Sequence, residues 1–224
     1  MITVHHLNNS RSQRILWLLE ELGLPYELKL YQRDPKTMLA PPELKKVHPL
    51  GKSPVLEDEG VLVAESAAII EYLLKKYDPQ HRLHPRRDNS PLDQKFTYWL
   101  HYAEGSVMPP LLLKLIFGKI KTTPMPFFIK PIAKGIAETV LRTVVDPQLK
   151  NHFQFIESQL QGQKWLCGEE FSAADIQMSF PLEAGEARGA TRGKPQIEDY
   201  LKRMRSRPAY KKALERGGPF ELLF

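Results

Sequence analysis

Asn8-Asn9-Ser10-Arg11-Ser12-Gln13 lies between a short apolar run, Ile2 to Leu7, and a helical run that begins near Ile15. Small hydroxyl and amide side chains at such a junction have two uses. They can start the helix: Ser10-Arg11-Ser12-Gln13 fits the capping box, in which a Ser hydroxyl and a Gln side chain satisfy N–H groups of the first turn. They can also donate to an anion, since the positive end of the helix dipole favours negative charge there. A thiolate placed at Ser10 would be held by a hydroxyl donor and by that dipole, which lowers its pKa. The same geometry serves both uses. The amide of Asn8 or Asn9 is an alternative donor.

A second group lies in HPLGKSPVLEDEGVLVAES, residues 48–66. Pro54 cannot donate to a strand ladder, so Ser53-Pro54 marks an edge or a turn, and a cis bond is one way to make it. Glu65-Ser66 opens a helix. The structural reading is a Ser cap and an acid near the dipole. The functional reading has Ser66 and its neighbouring N–H groups receive a carboxylate while Glu65 receives an ammonium. Other candidates read as structural. Ser172 and Asp175 form a capping box with Phe171 and Ile176 as its staple. The single cysteine, Cys167, excludes an internal disulfide and CxxC chemistry and reads as a small core residue. His5 and His6 are adjacent on a strand and point to opposite faces, and no metal site is expected.

The elements that must hold these groups follow from periodicity. ITVHHL, YELKLY, SPVLED and VLVA read as strands, the last two joined by the Asp58-Glu59-Gly60 hairpin signal. SQRILWLLEEL is a helix stopped by Gly23 and Pro25, and ESAAIIEYLLKKY is another. PPELKKVHPLG is irregular, with one helical turn. Residues 1–79 therefore read as a small α/β sheet domain. Residues 80–89, rich in Pro and charge, read as a linker. Residues 90–224 show only helical patterns, with a proline interruption near Pro109 and a clear amphipathic helix in DPQLKNHFQFIESQL.

At 224 residues and 42% apolar content the chain can bury a large core. No apolar run reaches membrane-spanning length, and no signal-peptide pattern is visible. The net charge of +6 divides unevenly, −1 through Asp78 and +7 beyond it. Basic residues without interleaved aromatics or a long Lys/Arg block do not suggest nucleic acid; a solvated helical surface explains them. Residues 119–142 differ: three prolines, Phe127-Phe128, and five basic residues against Glu138. That composition suits contact with a membrane surface, but the prolines break a long amphipathic face, and an apolar side covering the core or a partner subunit is the preferred expectation.

The assembled motifs resemble the cytosolic glutathione transferases over essentially the whole chain. Ser10 followed four residues later by Arg14 is similar to the serine-type active-site loop. GKSPVLEDEGVLVAESAAIIEYL resembles the glutathione-binding strand, hairpin and helix, and FSAADI the capping-box signature of the family's helical domain. SAADIQMSFPLEAGEARG and RPAYKKALERGGPFE are similar to a bacterial and fungal subgroup. The resemblance implies a thioredoxin-like domain over 1–79, an all-helical domain over 90–224, a cleft between them, and a cytoplasmic homodimer. It implies conjugation of glutathione, as co-substrate and without a further cofactor, to electrophilic, mostly apolar small molecules. Glutathione-dependent peroxide reduction and non-catalytic ligand carriage are the alternatives.

Carried onto this chain, the resemblance makes Ser10 the thiolate donor, with Asn8 and Asn9 as alternatives. Lys52 would face the glycyl carboxylate, and Ser53 would pair its backbone with the cysteinyl part of glutathione beside a cis Pro54. Glu65 would bind the γ-glutamyl ammonium and Ser66 its carboxylate. Tyr98, His101, Tyr102 and Phe117 would line the electrophile pocket. Two positions depart from the pattern. Ser53 replaces a more usual branched apolar residue, and Leu39-Ala40 stand where a basic residue often reaches the glycyl end, leaving Lys52, Lys45 or His48 for that task.

Overall fold

The computed structural model describes residues 1–85 and 88–222. Arg86 and Arg87, inside the expected linker, and Leu223 and Phe224 lie outside the described residues. Four strands form one mixed sheet in the order β2-β1-β3-β4. β1 (Ile2–Leu7) is central, parallel to β2 (Tyr26–Tyr31) and antiparallel to β3 (Val55–Asp58), which pairs with β4 (Val61–Ala64). The connection from β1 to β2 runs through α1 (Gln13–Leu22), and α3 (Ser66–Tyr77) follows β4. α2 (Leu44–Val47) is the single expected turn. This is a thioredoxin-like arrangement of sheet and helices.

α1 explains how the sheet joins the helical part. Ile15, Leu16, Trp17, Leu18 and Leu19 are all buried, although they cover every side of the helix. A helix apolar all round must be covered on all sides. α3 covers one side, and α8 (Ala173–Ala187) and α10 (Pro208–Gly217) cover others. Trp17 packs edge-on against Tyr210 at 5.0 Å between ring centroids. A left-handed Gly23 (φ 70°) ends α1, donating its N–H back to Glu20 and Leu19.

The remaining helices are α4 (Pro91–Tyr102), α5 (Met108–Thr122), α6 (Lys130–Val140), α7 (Asp146–Leu160) and α9 (Pro195–Ser206). The expected proline interruption takes a specific form. Pro109 and Pro110 sit in the first turn of α5, where a missing N–H costs nothing, and the break before them is a π turn over Ala103–Val107. A second π turn, Leu141–Val145, precedes Pro147 in α7. The capping box of α8 is present: the Ser172 N–H donates to Asp175 Oδ2 at 2.8 Å, and Asp175 also accepts from Leu166 N and Tyr200 Oη. Burial pushes the Cys167 thiol up to about 12, so it is not a ready nucleophile.

The segment after α5 does not cover the chain's own core. Phe127 is 87% exposed, and Phe128, Ile129, Ile132 and Ile136 are also exposed. Among the described residues, no helix is long and apolar enough to cross a membrane.

Candidate functional site

β1 ends at Leu7, and the chain turns through Asn8 and a left-handed Asn9 (φ 49°) before reaching Ser10. Ser10 and Ser12 are both buried. Their hydroxyl oxygens lie 2.7 Å apart, and the Ser12 N–H donates to Ser10 Oγ at 3.2 Å. Ser12 Oγ in turn lies 2.9 Å from His6 Nδ1, and His6 Nε2 lies 3.1 Å from the Gly217 carbonyl. A carbonyl can only accept, so His6 carries its proton on Nε2. Burial pushes the His6 imidazole down to about 4, so it is neutral at physiological pH and Nδ1 is an acceptor. Ser12 therefore donates to His6, and Ser10 donates to Ser12. The chain of three groups directs the Ser10 proton inward. Gly217 permits it: a Cβ there would stand 2.6 Å from Gln13 Oε1 and 2.7 Å from Leu16 Cδ1.

The asparagines brace this loop. Asn8 Oδ1 accepts from the Arg33 N–H, and Arg33 also donates to the carbonyls of Asn8, Asn9 and Met38. Asn9 Oδ1 accepts from Glu221 N at 2.8 Å. This leaves the amide N–H groups of Asn9 directed away from Glu221, and Asn9 borders the adjacent cavity.

Ser53 meets the same loop. The Ser53–Pro54 peptide is cis. The β1–β3 ladder ends at the His5–Val55 pair, and Pro54 has no N–H to extend it. The Ser53 side chain continues it instead: Oγ donates to His5 O at 2.7 Å and accepts from Leu7 N at 3.1 Å. Leu7 N also approaches Ser12 Oγ at 3.3 Å, so one amide ties the two corners together. A hydroxyl thus serves where a branched apolar side chain would not, and the backbone N–H and C=O of Ser53 remain for other partners. Ser53→Ala is expected to lower stability by about 1 kcal/mol by removing the donor to the His5 carbonyl, while the Leu7 N–H keeps Ser12 Oγ. Urea unfolding checks this, and a change below about 0.5 kcal/mol would refute it.

Ser66 is reached through Arg14. This guanidinium, 1% exposed, donates to Ser66 Oγ at 3.0 Å, Glu104 Oε1 at 2.6 Å and the Gln177 carbonyl at 2.6 Å. That carbonyl is open because Pro181, four residues on within α8, has no N–H to offer it. Glu104 lies in the first π turn and is also held by Arg11 Nε at 2.9 Å. Burial works against the Glu104 carboxylate, but Arg14 and Arg11 prevail and hold it below the usual range. Burial brings Arg14 down to about 10, still cationic at neutral pH. Beside buried Ser66, Glu65 is exposed and left-handed (φ 72°). A non-glycine residue there is uncommon and marks a constrained corner. Lys52 is exposed.

Ser10 and Ser53 are thus brought to the junction of β1 and α1, and Ser66 is tied to it through the Arg14 side chain. The expected electrophile residues are not. A cavity of about 250 Å³ opens beside Asn9 and Arg11, and Tyr98, His101, Tyr102 and Phe117 do not line it. Tyr98 and Tyr102 turn to Phe155 on α7, and Tyr102 Oη pairs with His152 Nδ1 at 2.6 Å. His101 is exposed. The wall is instead Met108, Leu111, Leu112 and Leu115 of α5, facing Phe180 and Ala184 of α8. The aromatic residues of α4 are taken up by packing against α7, which leaves α5 and α8 to wall the cavity.

Comparison with known proteins bears on the fold and the family. The family described as glutathione S-transferase, N-terminal domain, matches residues 10–76, and that described as glutathione S-transferase, C-terminal domain, matches residues 124–208. Glutathione S-transferase 1 of Saccharomyces cerevisiae is 37% identical over 96% of this chain and 95% of its own length. Glutathione S-transferase 3 of Schizosaccharomyces pombe is 36% identical over 96% of this chain and 88% of its own. A crystal structure of a glutathione S-transferase from Actinobacillus pleuropneumoniae superposes with a TM-score of 0.79 at 36% identity, covering 99% of this chain and 95% of that one. With the sheet, the helical half and both family matches in agreement, the chain belongs to the glutathione S-transferase family.

Proposed function

We propose that this transferase binds glutathione along the edge running from Lys52 to Ser66 and ionises its thiol at the Ser10 loop, for attack on an electrophile in the adjoining cavity. The observation that supports the reading is that the Ser53 corner and, through Arg14, the Ser66 corner are both hydrogen-bonded to the segment that carries Ser10. Ser66 Oγ accepts from Arg14, so its proton is available to the γ-glutamyl carboxylate, and exposed Glu65 suits the ammonium. The backbone of Ser53 suits the cysteinyl amide, as an added strand would, beside Pro54. Lys52 suits the glycyl carboxylate.

Ser10 donates to Ser12 in the structure described here. Turning its proton to a thiolate exchanges a neutral hydrogen bond for a charge-assisted one, roughly twice as strong, at the positive end of α1. Asn9 is the rival donor. Titrating the bound thiol by its ultraviolet thiolate absorbance tests the mechanism. The expected apparent pKa is about 7 or below, against about 8.5 for a free thiol; an unshifted value would overturn it. Exposed apolar residues on β4 and α4, including Leu62 and Leu92, support a second copy of the chain as partner, and the single unpaired Cys167 fits a cytoplasmic location.

A further inference from the structure

The cavity beside Ser10 has a direction. Phe180 and Ala184 of α8 and Arg188, the residue just past its C-terminus, follow at four-residue spacing and line one side of it, a row about 12 Å long at 1.5 Å per residue. The Phe180 end belongs to the thiol: Arg11, from the Ser10 loop, stacks on the Phe180 ring at 4.9 Å. The middle is apolar, with Leu111, Leu112 and Leu115 facing Ala184. The far end holds Arg188, and Lys119 lines the same cavity from α5. Among the described residues, no carboxylate lines this cavity.

We propose that the electrophile carries an anionic group at the end of its apolar body remote from the reacting carbon, and that Arg188 binds that anion. The inference rests on the conjugation reading above and names its substrate class. Arg188 Nη1 caps the Ala184 carbonyl at 2.7 Å, while its buried Nε has no hydrogen-bond partner among the described residues. Burial lowers the Arg188 pKa without neutralising it, so a half-buried cation lines the far end of an apolar slot. Beyond it the surface stays basic. The neighbouring concavity is lined by Arg188, Arg192, Lys194, Lys150 and Lys114, with Asp146 as its one acid, and Asp146 is already paired to Lys114 at 2.6 Å. Cations of one sign along a low-dielectric cleft focus the field and attract anions. An uncharged electrophile would leave the positive charge of Arg188 without a counter-ion in this cavity.

The test compares two Michael acceptors that differ in charge, benzylideneacetone bearing a para-carboxylate and the methyl ester of that acid, each rate being divided by that compound's uncatalysed rate with glutathione. In both, the glutathione thiolate bonds to the β-carbon. The double-bond pair moves to the ketone oxygen as an enolate, which takes a proton from water, and nothing leaves. In the unmodified protein kcat/KM is expected to favour the acid. Arg188→Gln is expected to lower the acid-to-ester ratio about tenfold, mainly through KM for the acid, and Arg188→Lys to restore most of it. The preference should also weaken with added salt, as screening requires. Preference for the ester, or a ratio that Arg188→Gln leaves unmoved while both compounds are conjugated, overturns the anion assignment alone. Conjugation of neither compound overturns the conjugation reading and this inference with it.

Discussion

Arg14→Met is expected to lower the stability of the folded chain by about 3 kcal/mol or more and to prevent saturation with glutathione. Removing one partner from a buried ion pair typically costs about 3–5 kcal/mol, because the other groups stay buried without their match. Three groups lose Arg14 at once: Glu104, Ser66 and the Gln177 carbonyl. The carbonyl has no substitute, since Pro181 cannot supply an N–H. Glu104 is cushioned, as Arg11 still holds it and its side chain is 34% exposed, which sets the effect at the lower end of the range. Urea unfolding measures the change; a loss under about 1 kcal/mol would show that the buried guanidinium is not the brace described here. Combining Arg14→Met with Glu104→Gln is expected to recover part of the loss, since the second change removes the uncompensated charge. Glutathione saturation reports the other consequence, because Ser66 loses the donor that orients its hydroxyl.

Ser10→Ala is the second large effect. Turnover is expected to fall tenfold or more, equal to at least about 1.4 kcal/mol of transition-state stabilisation, while glutathione still binds. The apparent pKa of the bound thiol should rise toward that of the free thiol. The His6–Ser12 pair remains in this variant, so the loop keeps its framework and a loss of activity reports on the donor and not on folding. Unchanged turnover would assign the thiolate to Asn9, and Asn9→Ala would then carry the loss. The structure sharpens this choice. Ser10 stands at the helix N-terminus, but its proton is directed to Ser12, which is committed to His6 by the neutral imidazole and the Gly217 carbonyl. Donation to sulfur therefore requires a rotation that only a charged acceptor rewards.

Much of the architecture was legible because local rules and global packing agree. Strand alternation in YELKLY, the Asp58-Glu59-Gly60 hairpin, Gly23 after α1 and the Ser172–Asp175 box each specify a local geometry that the fold retains. The convergence of Ser10, Ser53 and Ser66 followed from the family resemblance, since residues far apart in sequence leave no spacing signal. The four residues expected at the electrophile pocket, Tyr98, His101, Tyr102 and Phe117, came from the family resemblance, and none lines the cavity beside Asn9 and Arg11, because Tyr98 and Tyr102 pack toward α7. Glu104 and the role of Arg14 were also missed. The one local clue was Pro181 inside an apolar helix, which implies an open carbonyl needing a donor from elsewhere.

The amino-acid sequence by itself determined the elements and their order, because these depend on periodicity and turn residues within a few positions of one another; of the expected caps the Ser172–Asp175 box forms, whereas α1 and α3 start without a side-chain cap, since Ser10 and Ser66 bond Ser12 and Arg14 instead. Only the tertiary structure decided what those groups face. It made Ser53 a continuation of the β1 ladder, turned the Ser10 proton toward Ser12, buried Arg14 against Gln177, and set Arg188 at the far end of an apolar slot. Each of those outcomes depends on contacts between distant segments, and the strength and direction of a hydrogen bond or charge depend on burial, which no local pattern contains.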